Sequence, residues 1–264
     1  MTDRSLVLRL AGPMQSWGSS SEFNWRQTDA QPTKSGIVGL LAAASGRRRE
    51  DPIEDLLALR LGVRIDQPGT LLRDYHTVSD FRGTPLPSAA LNASGRQKPT
   101  SPKKFTHVTQ RYYLQDSVFV AVIGGNTQVL EGLASALRRP RFPLALGRRA
   151  CVPTQPIVLS EGAGADLWRG TVAEVIHRVP WQAGPAYRVS AADSSTVTVP
   201  FTVDDDNGDD DLADVPLSFS REQRAKRSTR RVRHGWAELG SGSGATNAQA
   251  PQPARHNPFA LLGW

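Results

Sequence analysis

The residues best suited to hold an anion lie at a predicted helix start, in the segment Pro32-Thr33-Lys34-Ser35-Gly36. A helix start leaves unpaired backbone N–H groups and a partial positive charge pointing outward. A cap at Thr33 or Ser35, with Lys34 beside it, would therefore form a phosphate-sized site. The alternative is that Thr33 only caps the helix.

The loop before this helix start carries side chains suited to base recognition. It reads Gln15-Ser16-Trp17-Gly18 and follows an apolar strand predicted over residues 6–10. An exposed Trp17 would stack on a base, whereas a buried Trp17 would pack beneath the helix. The segment predicts an anion site beside a stacking side chain, with simple capping and packing as the alternative.

Apolar periodicity and turn residues predict the elements that position these side chains. Their order resembles the split βαβ pattern, so we expect an α+β protein with a ferredoxin-like or RRM-type domain over residues 1–152. The predicted strands cover residues 6–10, 63–66, 70–75, 111–123 and 142–146, and the predicted helices begin at Thr33, Asp51 and Thr127.

A long basic insertion interrupts this pattern over residues 78–107. No acidic residue occurs from Phe81 to Gln115, and several Pro and Gly residues argue against a packed element. Such a loop is usually functional or disordered, and a basic one becomes ordered on a polyanion or a partner protein. A merely flexible loop is the alternative. The cations of this thumb-like insertion are Arg82, Arg96, Lys98, Lys103 and Lys104.

The second half of the chain has a different composition. Pro153 and Pro156 indicate a boundary, and alternating or β-branched segments predict strands over residues 168–179, 195–203 and 230–236. We therefore expect a small β-rich domain over residues 153–239. Residues 240–264 begin with a Gly/Ser/Ala/Pro-rich stretch and end in an apolar one, which predicts a flexible tail.

Charge favours a polyanionic partner. The net charge is +7, and residues 1–152 hold 21 Lys and Arg against 12 Asp and Glu. Such a surface binds nucleic acid through counterion release, although general Arg enrichment from a GC-rich genome is an alternative. Seven Asp lie between Asp204 and Asp214, followed by a basic run.

Composition also narrows the class of protein. One cysteine and five scattered histidines exclude a disulfide framework and give no metal-ligand spacing. We therefore expect neither a metal nor another cofactor. No membrane-length apolar run or signal peptide is visible, so we expect a cytoplasmic protein with no membrane partner.

With these segments in place, the chain resembles the CasD family of the type I-E CRISPR Cascade complex, whose members are RAMP proteins with RRM-like folds. The matching segments occur in order over most of the chain, while the acidic run and the tail depart from the family pattern. The matching segments are Leu8-Arg-Leu-Ala-Gly-Pro-Met-Gln-Ser-Trp-Gly18, Pro32-Thr-Lys-Ser-Gly-Ile-Val-Gly-Leu-Leu41, Asp74-Tyr-His-Thr77, Arg111-Tyr-Tyr-Leu-Gln-Asp116 and Pro143-Leu-Ala-Leu-Gly-Arg-Arg149.

The resemblance implies a subunit that binds the 5′ handle of CRISPR RNA and caps one end of the Cascade filament. It implies contacts with the backbone subunit CasC and the large subunit CasA, and with target DNA only through the complex. The insertion over residues 78–107 would act as a thumb that reaches the neighbouring backbone subunit. A separate nuclease would process the RNA, so no catalytic residues are expected.

Specific RNA binding needs stacking side chains, base-edge donors and cations for phosphates. We assign stacking to Trp17 and Tyr75, and base edges to Gln15, Ser16 and His76. A handle phosphate would lie on Lys34 and the N–H groups of Ser35 and Gly36, next to the Thr33 cap. Further phosphate contacts would come from Arg26, Arg111, Arg148 and Arg149.

Two other functions stay open on the sequence alone. Some relatives cleave precursor RNA without metal, and Tyr75, His76 and Lys34 have the chemistry for general acid–base catalysis and charge stabilisation. A housekeeping RNA-binding protein would use the same RRM-like chemistry without preferring the handle. Structural alternatives are an internal salt bridge for Arg26 and a solvated surface for Arg148 and Arg149.

Overall fold

The fold contains one large sheet, one smaller sheet, a hairpin and five helices within the described part of the chain. A computed structural model describes residues 3–18, 24–162, 164–190, 195–220 and 226–242. The strands are β1 (Arg4–Ala11), β2 (Met14–Gln15), β3 (Trp25–Arg26), β4 (Arg60–Gln67), β5 (Thr70–Ser79), β6 (Pro87–Leu91), β7 (Gln97–Pro99), β8 (Thr106–Gln115), β9 (Val118–Gly124), β10 (Val158–Leu159), β11 (Leu167–Arg169), β12 (Thr196–Asp204), β13 (Asp210–Pro216) and β14 (Arg227–Gly240). The helices are α1 (Lys34–Ala44), α2 (Glu54–Leu57), α3 (Thr127–Arg138), α4 (Val172–Arg178) and α5 (Pro185–Ser190). The predicted α+β class is confirmed.

Strands from both halves of the chain form the large sheet. Its order is β10-β1-β9-β4-β12-β14-β13, with β11 also paired to β1, and all neighbours are antiparallel. β12 adds to the edge of β4 through Thr202, which lies opposite Val63. An uncovered β4 would leave a row of unpaired backbone groups. The boundary predicted at residue 152 therefore does not divide this sheet.

The large sheet is buried on both faces at β1 and β9, which explains the near-continuous apolar sequence of β1. Successive side chains of a strand point to opposite faces. Leu6, Leu8 and Leu10 join the core with α1 and α3 on one face, while Val7 packs with Val175 of α4 on the other. The first face holds the larger apolar core.

Three predicted strands differ from the structure. Residues 168–179 form β11 and then α4, because Thr171 and Glu174 make a reciprocal capping box that starts a helix. Residues 111–123 divide into β8 and β9 at Asp116, whose φ is 57°. The segment 142–146 contains no strand; Leu146 is instead buried, and its carbonyl accepts a bond from Ser16 N.

The basic insertion is more ordered than its composition predicts. β5 and β8 pair along their whole lengths, and β6 and β7 form a separate hairpin between them. β2 and β3 pair with the other edge of β8, which completes a four-stranded sheet that we call the ribbon. The predicted tail lies outside the described residues beyond Gly242.

Candidate nucleic-acid interface

The predicted anion site at the start of α1 is filled by the protein's own carboxylates. Thr33 caps the helix by accepting a bond from Gly36 N at 3.1 Å. Lys34 N donates to Asp214 Oδ2 at 2.8 Å, and Lys34 Nζ pairs with Asp204 Oδ2 at 3.0 Å. The phosphate role predicted for Lys34 is therefore wrong, because its charge is buried and neutralised.

Arg230 completes this buried ion-pair cluster. Its Nε donates to Asp214 Oδ1 at 2.7 Å and its Nη2 to Oδ2 at 2.9 Å, while Nη1 pairs with Asp204. Burial lowers the pKa of Arg230, but the bonds to these two carboxylates outweigh burial and hold it above its usual value. Asp204 of β12 and Asp214 of β13, both from the acidic run, thus connect these strands to α1 and β14.

Ser35 has a structural partner as well. Its hydroxyl accepts a bond from Arg227 of β14, and the residue is buried. The sequence signal for this cluster was the acidic run followed by a basic run, since oppositely charged neighbours in one sheet pair with each other. By themselves the two runs indicate segregated charge and do not predict internal pairing.

The loop side chains Gln15 and Trp17 form a second buried cluster. Gln15 is fully buried, and its Nε2 donates to the carbonyls of Leu10 at 3.0 Å and Ser117 at 2.7 Å. Its Oε1 accepts from Trp17 Nε1 at 3.0 Å, and Trp17 is only 1% exposed. The predicted base edge at Gln15 and base stack at Trp17 are wrong, because both side chains brace the loop against α1.

The space left by the missing side chain of Gly36 is filled by Trp17 rather than by a ligand. A Cβ at Gly36 would lie 2.6 Å from Trp17 Cε3, so the missing side chain lets the indole pack on the first turn of α1. This contact replaces the predicted close approach of Gly36 to a phosphate.

Gly36→Ala is expected to lower the free energy of unfolding by about 1–3 kcal/mol, because the overpacked Trp17 ring must move. The matched control is Gly39→Ala in the same helix, where a Cβ meets only Phe219 Cζ at an ordinary 3.6 Å. There we expect unchanged or slightly higher stability. Urea unfolding of both variants measures the difference, and equal stability would rule out the Trp17 contact as its cause.

A small cleft lies over the Gln15–Trp17 cluster. It has a volume of about 250 Å³ and is lined in part by Ser16, Arg26 and Arg148. Ser16 is itself buried, and its hydroxyl is 3.4 Å from the carbonyl of Tyr112. Thr33, Ser35 and Gly36 also line the cleft, so the structure brings these predicted residues together although their groups already bond internally.

Arg148 joins the loop after α3 to the ribbon. Its guanidinium donates to the carbonyls of Tyr112 at 2.9 Å, Arg26 at 2.8 Å and Gln27 at 3.0 Å, and it lies 4.8 Å from the centre of the Tyr113 ring. Its partners are neutral, so the positive charge is not cancelled by these bonds. Arg149 is exposed on the same turn.

One face of the ribbon is basic. Directly paired residues share a face, and Arg26 of β3 lies opposite Arg111 of β8. Arg26 is exposed, while Arg111 is half-buried with its Nε lacking a hydrogen-bond partner within the described residues. Asp74 shares this face opposite Arg111, where it bonds to His76. We call Arg26 and Arg111, together with Arg148 and Arg149 of the adjoining turn, the basic face.

The opposite face carries exposed aromatic rings, of which the sequence identified only Tyr75 as a ligand contact. Tyr75 is 60% exposed and lies opposite Gln110. Trp25 is 47% exposed and its ring centre is 5.3 Å from that of Tyr112. Exposed Arg73 pairs with Tyr112 across the strands. We call Trp25, Arg73, Tyr75 and Tyr112 the aromatic face. The sequence feature that could have predicted this face is the alternation of side chains along β5 and β8.

His76 does not present a vacant edge. Its Nδ1 bonds to Asp74 Oδ2 at 2.9 Å and its Nε2 to Thr109 Oγ1 at 2.8 Å, so both ring nitrogens are occupied. The base-reading role of His76 stays a prediction, and it would require His76 to exchange one of these internal bonds for a base. Tyr75 follows the alternation to the other face and Lys34 is buried, so the three residues weighed for catalysis do not converge.

The thumb cations differ in their environment. Arg82 makes two bonds to Asp80, from Nε at 2.9 Å and from Nη2 at 2.6 Å, and these bonds hold the pKa of Asp80 far below its usual value. The other predicted thumb cations are exposed, with no ion pair in the described part of the chain: Arg96, Lys98, Lys103 and Lys104. Phe81 beside them is 97% exposed.

Within the described residues, no group of three or more His, Cys, Asp or Glu side chains is placed to hold a metal ion. No helix there is long and apolar enough to cross a membrane.

Comparison with known proteins gives concordant matches. A family model described as "CRISPR-associated protein (Cas_Cas5)" matches residues 5–233. The Cascade subunit CasD of Escherichia coli (strain K12) is 36% identical over 180 residues, covering 61% of this chain and 72% of that protein.

Two solved structures agree with this match. A chain of a CRISPR RNA-guided surveillance complex superimposes with a TM-score of 0.69 and 35% identity, covering 93% of this chain and 95% of that one. A chain described as a Cas protein gives a TM-score of 0.63 and 33% identity, covering 90% and 96%.

Proposed function

Because this chain belongs to the family of CRISPR-associated proteins that includes Cascade subunit CasD, we propose that it is a non-catalytic Cascade subunit that binds the 5′ handle of CRISPR RNA. The observation that carries the handle assignment is the ribbon, which has exposed aromatic rings on one face and guanidinium groups on the other. Stacking and backbone neutralisation are the two requirements of single-stranded RNA binding.

In this proposal the two faces of the ribbon contact different groups of the RNA. Bases of the handle stack on Tyr75 and Trp25, which present the most exposed aromatic surface of the ribbon. Arg73 lies on the same face and takes the phosphate of a stacked nucleotide, whereas the basic face holds phosphates of a neighbouring part of the handle that passes around the ribbon. Arg149 extends the cationic surface along the turn that Arg148 fixes against the ribbon.

The partner surface is the hairpin of β6 and β7 with its flanking segments. Its exposed cations accompany exposed apolar side chains, Phe81, Leu91 and Phe105. A protein interface needs such apolar contacts within a polar rim. We assign this thumb to the backbone subunit CasC. CasA would contact another surface of the assembled complex, and target DNA would contact this chain only indirectly, through the complex.

The antiparallel order β10-β1-β9-β4, with α1 and α3 as its connections, supports assigning these strands to a ferredoxin-like unit. The ribbon extends from the β4 and β9 ends of this unit. The C-terminal strands extend the same sheet rather than form a second layer.

The handle assignment is tested by titrating the purified chain with handle RNA and with a scrambled RNA at fixed salt. Tyr75→Ala and Trp25→Ala are each expected to weaken handle binding about tenfold, through loss of one stacked base. The control is Trp236→Ala, which removes a 68% exposed indole on β14, away from the ribbon. Its affinity should be unchanged.

Equal effects of Trp25→Ala and Trp236→Ala would contradict a ribbon site, and equal affinity for both RNAs would favour a housekeeping RNA-binding protein. Cleavage is tested separately by incubating repeat RNA with the chain in EDTA. A defined cut ending in a 2′,3′-cyclic phosphate would overturn the non-catalytic assignment.

A further inference from the structure

A second cleft lies at the end of β1, on the sheet face that carries α4. It has a volume of about 720 Å³ and shares no lining residue with the two ribbon faces. Its walls come from the turn after β1, the turn between β8 and β9, and residues 182–185. A volume of this size accommodates a small organic ligand.

Arg9 is the unusual side chain in this cleft. Its Nη1 is 3.4 Å from Gln182 Oε1 and its Nη2 is 3.3 Å from Gln155 Oε1, which are long contacts with neutral groups. Its buried Nε has no hydrogen-bond partner among the described residues. No carboxylate in the described ranges forms an ion pair with Arg9, and burial lowers the pKa of its guanidinium.

A second guanidinium is held at the same cleft. Arg188 Nε donates to the Ala183 carbonyl at 2.8 Å, Nη2 donates to the Trp181 carbonyl, and the group lies 5.5 Å from the Trp181 ring centre. These partners position the charge without neutralising it. Asp116 also lines the cleft, where its Oδ2 accepts a bond from Gln67 Nε2 at 3.1 Å.

The wall that carries both contacts is anchored to the sheet. Gln182 N donates to Asp66 Oδ2 at 2.6 Å, and Gly184 N donates to Gln67 Oε1 at 2.9 Å. Arg9 contacts Gln182, and Arg188 contacts Ala183 between these anchors. Both guanidinium groups therefore contact one anchored segment, Arg188 through a bond of 2.8 Å and Arg9 through a longer contact of 3.4 Å.

We propose that this cleft binds a nucleotide unit, with its phosphate on Arg9 and Arg188. A guanidinium has the fork geometry that matches phosphate oxygens, and the two Nη groups of Arg9 make only long contacts with neutral oxygens that a phosphate would replace. Pro13, Val118 and Pro185 line the cleft with apolar surface on which the base packs. A single acidic side chain would satisfy the charges but leave most of this volume unfilled, so the cleft fits a nucleotide better.

Calorimetric titration of the full chain with adenosine 5′-monophosphate, adenosine and inorganic phosphate tests the site. We expect binding of the nucleotide and little binding of adenosine. Arg9→Gln should weaken nucleotide binding about tenfold or more, through loss of charged hydrogen bonds. The matched control is Arg4→Gln, at the other end of β1 and absent from the cleft lining.

The thermal midpoint of Arg9→Gln distinguishes a binding role of Arg9 from a structural one. Arg9→Gln removes a half-buried charge with no ion-pair partner among the described residues, so its thermal midpoint should be unchanged or higher. A lower midpoint with unchanged nucleotide affinity would overturn the proposal, as would equal affinities for the nucleotide and adenosine. Tighter binding of a glutamate-rich peptide, in competition with the nucleotide, would assign the cleft to an acidic protein segment instead.

A short oligoadenylate distinguishes the source of the nucleotide. Competition between it and the monophosphate places a nucleic-acid chain in the cleft, whereas binding of the monophosphate alone identifies a free nucleotide. Both outcomes support the site. Neither depends on the ribbon, so Trp25→Ala should leave nucleotide binding here unchanged even where handle binding is lost.

Discussion

Arg230→Met is expected to lower the free energy of unfolding by about 3–5 kcal/mol, because it leaves two buried carboxylates without their shared cation. Asp204 and Asp214 would then face each other with only Lys34 as a charged partner. Urea unfolding followed by tryptophan fluorescence measures the loss. Methionine keeps much of the side-chain volume, so packing changes contribute less than the charge.

The matched control is Arg231→Met, one residue along β14. Its side chain is exposed and its Nε is 3.8 Å from Asp211 Oδ1, a surface pair that contributes about 0–1 kcal/mol. Equal losses for the two variants would contradict a buried cluster that joins α1 to the C-terminal strands. Handle RNA affinity of folded Arg230→Met should match that of the wild-type chain, because no charge of this cluster is assigned to a phosphate.

Arg64→Met is expected to cost a similar amount, about 3–5 kcal/mol, since it also breaks a fully buried ion pair. Arg64 Nε donates to Asp66 Oδ1 at 2.7 Å, and Nη2 donates to Oδ2 at 3.0 Å. The same guanidinium donates to the carbonyls of Ile176, Val179 and Pro180, at the end of α4. It therefore satisfies carbonyls that a helix end leaves unpaired.

Arg60→Met on the same strand is the control for this prediction. Arg60 pairs with Asp206 at the surface, so its loss should change stability by less than about 1 kcal/mol. Arg64→Lys should restore only part of the stability, because an ammonium group lacks the fork that reaches Asp66 and the carbonyls of α4 together. Full restoration by lysine would show that charge alone, rather than this geometry, holds α4 to β4.

Local sequence patterns predicted much of the first part of the fold. Thr33 as the cap of α1, the strands around residues 6–10 and 63–66, and the helix from Thr127 all occur. Each depends on neighbours within a few residues, through capping or apolar spacing. The helix at residues 172–178 was missed because β-branched residues outweighed the Thr171–Glu174 capping box in the prediction.

The candidate site was predicted less well, because charge and exposure depend on distant contacts. Tyr75 was predicted to stack and is exposed, whereas Trp25 was overlooked beside a Trp17 that has the same chemistry but is buried. Nothing in the local sequence distinguishes the two indoles. The bond from Trp17 to Gln15 and the missing Cβ of Gly36 decide the burial of Trp17.

The sequence by itself determined the family, the α+β class, the basic character of residues 81–115 and a helix that begins at residues 33–35. Only the tertiary structure decided what the start of that helix binds. Asp204 and Asp214 lie 170 and 180 positions from Lys34 along the chain, yet they reach it across the sheet. A buried cation requires a partner charge, and only the pairing of β12, β13 and β14 brings those carboxylates to Lys34. The same folding leaves Trp25 and Tyr75 of the ribbon exposed, where we propose that RNA binds.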